Sequence, residues 1–359
     1  MYRLPLPLVA LSTILPPAKC RPSLDIITAA MGRPIGRAVP AISAQQQRCS
    51  AFFTPARSLQ RVHHPPLYNG ETDMQQTELD AIKHGLNSGE VIPYLGPEAL
   101  AGAVNAESGE PIPADSDSLI LAMNGGRPMA PKLMYEFPRA AMNLELKKGR
   151  SFVNRFLDQL YGQTEWTRAP IHDWLAQWHP PCVIDVNRDR QLVDSYAGLP
   201  HNLMLGIARV GGTDYRYKLY HHNGAEYREI SNEQADPALP LLVKPMGSPV
   251  PEPSYIASDA DYVDYLTELM GGFGVPKMFK GYRQGKQYLL LGLRLKRDTE
   301  RMVLADLIHG HGGGWVVMDD PTPKERRFCE KNLGMTVIDQ PLTEFMQYFG
   351  VELPSMAEA

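Results

Sequence analysis

The chain has 359 residues, a formal net charge of −4 and an aromatic content of 8%. This length suffices for one large domain or two ordinary ones with a substantial core. The slightly acidic balance excludes a strongly basic nucleic-acid-binding protein, so we expect no nucleic-acid partner. No run reaches the roughly 18 apolar residues that a membrane-spanning helix needs, so we expect no membrane association.

The four cysteines lie far apart in the sequence and form no C-x-x-C pair: Cys20, Cys49, Cys182 and Cys329. This spacing argues against a structural zinc site and against a disulfide scaffold. It fits a reducing compartment, so we expect a cytoplasmic protein. The sequence therefore predicts no metal site.

Residues 1–73 differ from the rest in composition, with eight Lys or Arg against three acidic residues. The segment is rich in Pro, Ser, Arg and Gln and lacks the periodicity of a packed element. A targeting peptide is one interpretation. We favour a disordered extension, or a non-native segment translated upstream of a natural start at Met74. Residues 74–359 are then assigned to one domain.

From residue 74 onward, short apolar runs alternate with helical patterns. Strands are predicted at 91–95, 182–185, 241–244, 288–293, 315–318 and 335–338. This alternation predicts an α/β fold, a three-layer and doubly wound, mostly parallel sheet. Two insertions are expected: a helical one near 125–165, and a hairpin near 213–231 that turns at Asn223-Gly224.

Glycines and polar residues follow several predicted strands, at the sheet edge where open α/β folds place their ligands. A glycine there lets a phosphate approach the backbone, and the next helix N-terminus offers free N–H groups. A glycine also ends many ordinary buried strands, and a polar run such as 187–190 is more often a solvated turn. The candidate ligand-site residues are Gly96, Asn187, Asp189, Gly247, Ser248 and Gly292.

Other motifs carry less weight. The glycine-rich run 309–314 contains two histidines without an acidic or cysteine partner nearby, and is more typical of a flexible connection. Residues 271–274 contain glycines but follow a predicted helix, the wrong context for a dinucleotide fingerprint. The sequence contains no Walker motif, no G-x-S-x-G and no H-E-x-x-H.

The order of five segments resembles the sirtuin-like superfamily, in its bacterial branch without the zinc module. In chain order they resemble the first strand and its G-A-G-x-S loop (90–96), the P-x-x-H-x-x-L-A helix (170–176), the T-x-N-x-D strand end (185–189), the K-x-H-G-S strand with the acidic helix after it (242–248 and 260–266), and the L-x-x-G-x-S-L strand (288–295). The likeness covers about residues 78–350.

This resemblance implies a Rossmann-type fold with NAD bound at the carboxyl ends of the parallel strands. The family's asparagine, here Asn187, orients a water or the ribose, and its histidine is the base for cleavage at the nicotinamide bond. Met246 stands at the histidine position, and a thioether cannot carry a proton. In the phosphate loop, Pro97 lacks an N–H and Glu98 adds a negative charge that repels phosphates.

Two further motif positions also depart from the family pattern, since Arg294 replaces a serine and Asp185 a threonine. The first expectation is therefore a degenerate, non-catalytic or weakened domain that senses NAD or ADP-ribose or binds a protein partner or a second copy. The alternative is an NAD glycohydrolase that uses Asn187 and recruits another base. Candidates for that base are His221, His222, His309 and His311. An NAD-dependent protein deacylase ranks third, because the histidine and the zinc module are both missing.

Overall fold

The computed structural model describes residues 70–354. The interpretation of residues 1–69 as an extension lies outside the described residues. The first helix begins at Gly70, four residues ahead of the domain boundary placed at 74.

The centre of the described part is a nine-stranded sheet. The described part has eleven strands in all: β1 (Val91–Leu95), β2 (Cys182–Asp185), β3 (Pro200–Gly206), β4 (Tyr217–Asn223), β5 (Tyr227–Ile230), β6 (Leu241–Lys244), β7 (Gly247–Ser248), β8 (Ser254–Tyr255), β9 (Gln287–Leu291), β10 (Gly314–Val317) and β11 (Thr336–Ile338). The spatial order is β11-β10-β9-β1-β2-β6-β3-β4-β5, while β7 and β8 form a separate small ladder.

Strands β11 through β3 in that spatial order are all parallel, whereas β4 pairs antiparallel with both β3 and β5. The predicted mostly parallel α/β sheet is thus confirmed, as is the hairpin that turns at Asn223-Gly224. The sequence did not predict β3, which joins this hairpin to the parallel strands. The central strands are buried along their whole length, as expected when helices cover both faces.

Helices cover both faces of the sheet. They are α1 (Gly70–Ser88), α2 (Ser116–Met123), α3 (Phe137–Lys148), α4 (Arg150–Asp158), α5 (Pro170–Trp178), α6 (Gln191–Ser195), α7 (Asp259–Met270), α8 (Lys277–Tyr282), α9 (Asp298–Leu307), α10 (Pro323–Arg327) and α11 (Leu342–Gln347). Side chains of α1, α5, α6 and α11 pack on one face, and those of α7, α8 and α9 on the other. None of the described helices is long and apolar enough to cross a membrane.

The helical insertion consists of α2, α3 and α4, and it builds a small core of its own. This core includes Leu100, just beyond β1, and Tyr255 and Ala257, which follow β6 along the chain. The insertion therefore packs over the carboxyl ends of the parallel strands.

The chain order of the strands identifies where an open α/β sheet would hold a ligand. From β1 the chain moves to β2 on one side, and it later returns to β9 on the other side. The strand order thus reverses between β1 and β9. A ligand crevice is expected at the carboxyl ends of these two strands.

Candidate functional site

The ends of β1 and β9 are in direct backbone contact at this point of reversal. The amide of Gly96 donates to the carbonyl of Leu291 at 2.8 Å. A Cβ atom on Gly96 would lie 2.4 Å from the carbonyl oxygen of Gly292, and one on Gly292 would lie 2.7 Å from the amide nitrogen of Ala99. Both glycines are therefore needed to pack one strand end against the other.

The backbone donors after β1 are already used. Residues Pro97–Leu100 form a single 3-10 turn, and Pro97 has no N–H group. The amide of Glu98 donates to the Gly292 carbonyl at 3.1 Å, and that of Ala99 to the Gly96 carbonyl at 3.0 Å. The turn therefore lacks the free N–H groups with which a helix N-terminus binds phosphate.

Glu98 and Arg294 depart from the family pattern together, and the structure pairs them. The Nε atom of Arg294 donates to Oε1 of Glu98 at 2.8 Å, and the same guanidinium donates to the carbonyl of Asp319. The negative charge at the turn is thus matched by a positive charge from the end of β9.

Asn187 lies beside Gly96, as the strand-end rule predicts. Its side-chain Nδ2 donates to the Gly96 carbonyl at 2.8 Å, and its backbone amide donates to Oδ1 of Asp185 at 2.9 Å. Its exposed fraction is only 4%. The side-chain amide therefore holds the ends of β1 and β2 together.

Gly247 and Ser248 follow β6 and form β7, which pairs with β8 in the separate small ladder. Gly247 has a φ of +91°, and a Cβ there would lie 1.9 Å from the carbonyl oxygen of Ser254. The Ser248 hydroxyl accepts a hydrogen bond from the amide of Val250. The structure thus brings Gly96, Asn187 and Gly292 together, whereas Gly247 and Ser248 bond within residues 247–255.

Met246 is 3% exposed and belongs to the core on one face of the sheet. The candidate replacement bases lie elsewhere. His221 and His222 pair with residues 202 and 201, near the start of β3, and His309 and His311 precede β10. All four therefore lie toward the amino ends of the parallel strands, opposite the expected crevice.

The adjacent strands β2 and β6 end in a buried ion pair. Nζ of Lys244 lies 2.7 Å from Oδ2 of Asp185, and both side chains are fully buried. Burial by itself raises the pKa of Asp185, but Lys244 and His172 outweigh it and lower the pKa to about 2. The Asp185 carboxyl is thus ionised throughout the ordinary pH range.

Two more buried groups complete an ionic cluster of His172, Asp185, Asp189 and Lys244. Nε2 of His172, from α5, lies 3.9 Å from Oδ2 of Asp185. Asp189 accepts a hydrogen bond from the amide of Gln191 through Oδ1, and burial raises its pKa. Both ring nitrogens of His172 and Oδ2 of Asp189 have no hydrogen-bond partner among the described residues.

Arg188 lies in the same loop, but its guanidinium is bonded elsewhere. It donates to the carbonyl of Ile256 at 2.9 Å and to the hydroxyl of Tyr262 at 3.1 Å, and it stacks over the ring of Phe137. Arg188 therefore ties the loop after β2 to α3 and α7 and makes no ion pair with the cluster.

Sequence reasoning missed this ionic cluster. In the sequence, Asp185 stands out only as a departure from the sirtuin-like threonine, and His172 and Lys244 only as positions within the resembling motifs. One usable signal was that two apolar runs, Val183-Ile184 and Leu241-Leu242-Val243, each end in a charged residue. That signal becomes specific only when β2 and β6 are known to be neighbours.

Two cavities in the described part lie away from these residues. One, of about 200 Å³, is lined by side chains from α1, β11 and α11, and the other, of about 520 Å³, lies beside α7. Comparison with known proteins adds no assignment, since neither the protein-family models nor the curated proteins include a match to this chain.

Proposed function

We propose that this chain is a degenerate sirtuin-like domain that does not cleave NAD and serves as a regulatory module. The observation that carries the proposal is the bond from Asn187 to Gly96. In the family that the sequence resembles, this asparagine orients a water or the ribose. Here its side-chain amide is buried and bonded to the backbone of β1.

The turn after β1, where the resemblance places the phosphates, supports the same proposal. The amides of Glu98 and Ala99 donate to carbonyls within the protein, and Pro97 has no amide hydrogen to offer. The Glu98 carboxylate occupies the same turn and pairs with Arg294, so this guanidinium is not free to bind a phosphate. We therefore expect NAD and ADP-ribose to bind weakly, with a dissociation constant above about 1 mM, or about −4 kcal/mol.

A general base is the third missing requirement. Met246 is packed in the core, and a base typically contributes about 10²–10⁴-fold to the rate of such a reaction. Its loss, added to the loss of a free asparagine amide, would leave nicotinamide release below detection.

One observation favours the alternative, an NAD glycohydrolase. His172 lies at the carboxyl end of β2, with both ring nitrogens unpartnered among the described residues. It could accept a proton if substrate reached it. However, its side chain is fully buried, so this reaction requires a movement that exposes it.

Calorimetric titration of the full chain with NAD and with ADP-ribose tests the proposal. We expect no saturation below about 1 mM, in the unmodified protein and in Met246→His alike. The Met246→His variant places a base at this position. It leaves the Asn187 side chain and the amides of the turn hydrogen-bonded within the protein. Micromolar binding that is lost in Asn187→Ala would contradict the proposal and favour an intact nucleotide site.

A further inference from the structure

The buried cluster at the ends of β2 and β6 has the donor atoms of a metal site. His172, Asp185 and Asp189 each offer one ligand atom, and these three atoms lie within 4.8 Å of one another. They come from α5, from the last residue of β2 and from the loop after β2. Three protein ligands from rigid or hydrogen-bonded segments are the number typical of a catalytic or exchangeable metal centre.

Two of these three side chains, His172 and Asp189, carry buried polar atoms without a partner among the described residues. His172 is fully buried and Asp189 is 1% exposed. Yet both nitrogens of the ring and Oδ2 of the carboxylate have no hydrogen-bond partner in the described part. Buried polar atoms almost always have a partner, because leaving one unsatisfied costs about 1–3 kcal/mol. Unsatisfied buried atoms on two of the three clustered side chains, His172 and Asp189, support a bound group that accepts electron pairs.

The charges of the cluster lead to the same conclusion. The cluster contains two carboxylates, Asp185 and Asp189, but only one ammonium group, Lys244. Arg188 adds no charge to it, because its guanidinium is bonded to Ile256 and Tyr262. One negative charge is therefore in excess in a region shielded from water, which is costly unless a proton or a cation balances it.

Lys244 is compatible with a metal on the same carboxylate. An oxygen with two lone pairs can accept from an ammonium and still coordinate an ion. Hydrogen bonds to ligating carboxylates are the usual outer shell of metal sites, where they fix the orientation of the ligand. The second oxygen of Asp185 is likewise fixed, by the backbone amide of Asn187.

We propose that His172, Asp185 and Asp189 bind one divalent transition-metal ion, with Lys244 as the residue that orients Asp185. One imidazole nitrogen with two carboxylate oxygens suits Mn²⁺, Fe²⁺, Co²⁺ or Zn²⁺ better than Mg²⁺ or Ca²⁺, which prefer oxygen ligands alone. This site is independent of the proposed function, since metal content and NAD binding are measured separately.

Metal content of the tag-free full chain tests the site. The protein is stripped with chelator, loaded with Mn²⁺ or Zn²⁺, desalted and analysed by elemental mass spectrometry. We expect about one ion per chain, a stoichiometry set by one set of three ligands. The isosteric variant Asp189→Asn and the variant His172→Gln should weaken binding by more than the ~10–100-fold typical of an outer-shell change.

Matched controls lie on α5, the helix that carries His172, and directly after it. Asp173→Asn and His179→Gln change exposed residues of α5 and the position after it, and both should bind as the unmodified chain does. Melting curves of each variant establish that it is folded, and His172→Gln replaces Asp189→Asn if the latter does not fold. The site is refuted if the unmodified chain binds no more metal than Asp189→Asn. The site is equally refuted if Asp189→Asn raises the stability of the protein and leaves its metal content unchanged. That result would mean that a proton, and not a metal ion, balances the charge of Asp189.

Discussion

Lys244 and Asp185 form an ion pair that is fully shielded from water. The cost of burying each charge is offset only while the other is present, so the two residues depend on each other. Removing one partner of a buried pair is far more damaging than replacing both with apolar groups.

We expect Lys244→Met to lower the free energy of unfolding by about 3–5 kcal/mol. Adding Asp185→Asn should recover part of this loss, because the second change removes the isolated carboxylate. Urea denaturation of both single variants and the double variant measures the coupling. Losses that simply add would show that the two side chains do not interact.

Asn187 shows a similar difference between sequence pattern and structural role. A polar residue at a strand end is usually exposed, and the sequence assigns it to a ligand. In the structure it is 4% exposed and bonded to Gly96 and Asp185.

We expect Asn187→Ala to cost about 0.5–1.5 kcal/mol of stability, the typical net contribution of one hydrogen bond, because the Gly96 carbonyl keeps the Ala99 amide as a donor. The Gly96 carbonyl loses its side-chain donor in this variant. Asn105→Ala is a control in a surface loop, where Asn105 caps the amides of Glu107 and Ser108. An unchanged unfolding midpoint for Asn187→Ala would contradict the structural role.

At the scale of elements, the contact between β1 and β9 depends on glycine at one strand end. Gly292 has a φ of +70°, and its neighbours leave no room for a side chain. Gly285 has nearly the same φ, +71°, but nothing lies within 4 Å of a Cβ placed there.

This pair of glycines separates backbone strain from packing. Gly285→Ala should cost about 1–2 kcal/mol, the penalty of the left-handed conformation. Gly292→Ala should cost clearly more, because its Cβ also meets the turn after β1. Equal losses in thermal melts would show that the two strand ends can separate without penalty.

The hairpin of β4 and β5 is tied to β3 through a buried histidine. Nδ1 of His201 bonds to the Leu199 carbonyl and Nε2 to the Tyr227 hydroxyl, while the ring stacks on His222. Burial lowers the pKa of His201 to about 4, and the neighbouring histidines His222 and His221 lower it as well. The ring is therefore neutral in the folded protein at pH 7.

His201 binds a proton near pH 6.5 in the unfolded chain but only near pH 4 in the folded chain. The contribution of the neutral ring to the stability of the folded protein is therefore complete above pH 6.5. It is lost as the pH falls from 6.5 to 4, by about 3 kcal/mol in all. His201→Gln should flatten that part of the profile of unfolding free energy against pH, whereas the exposed His84→Gln should not. Parallel profiles for all three proteins would contradict the prediction.

At the scale of the whole molecule, the sequence predicted the strands that are short, apolar and buried on both faces. The predicted ranges 91–95, 182–185 and 241–244 match β1, β2 and β6 residue for residue. Strand β3 was missed because His201 and Asn202 interrupt its apolar pattern; both are buried through hydrogen bonds that only the fold provides.

The candidate functional site, like the sheet, was predictable from the sequence only in part. The proximity of Gly96 and Asn187 followed from the rule that parallel strands share a carboxyl edge. The cluster of His172, Asp185 and Lys244 did not, because β6 reaches its place beside β2 only after the chain has formed β3 and the hairpin. Local sequence does not encode that order of strands.

The central proposal is that this carboxyl edge of the sheet does not cleave NAD. The most direct measurement is nicotinamide release from NAD by the full chain, followed by chromatography against a buffer blank. We predict a rate equal to the blank, with and without added Mn²⁺ or Zn²⁺. Protein-dependent release that disappears in Asn187→Ala or His172→Gln would contradict the claim and identify the chain as an NAD glycohydrolase.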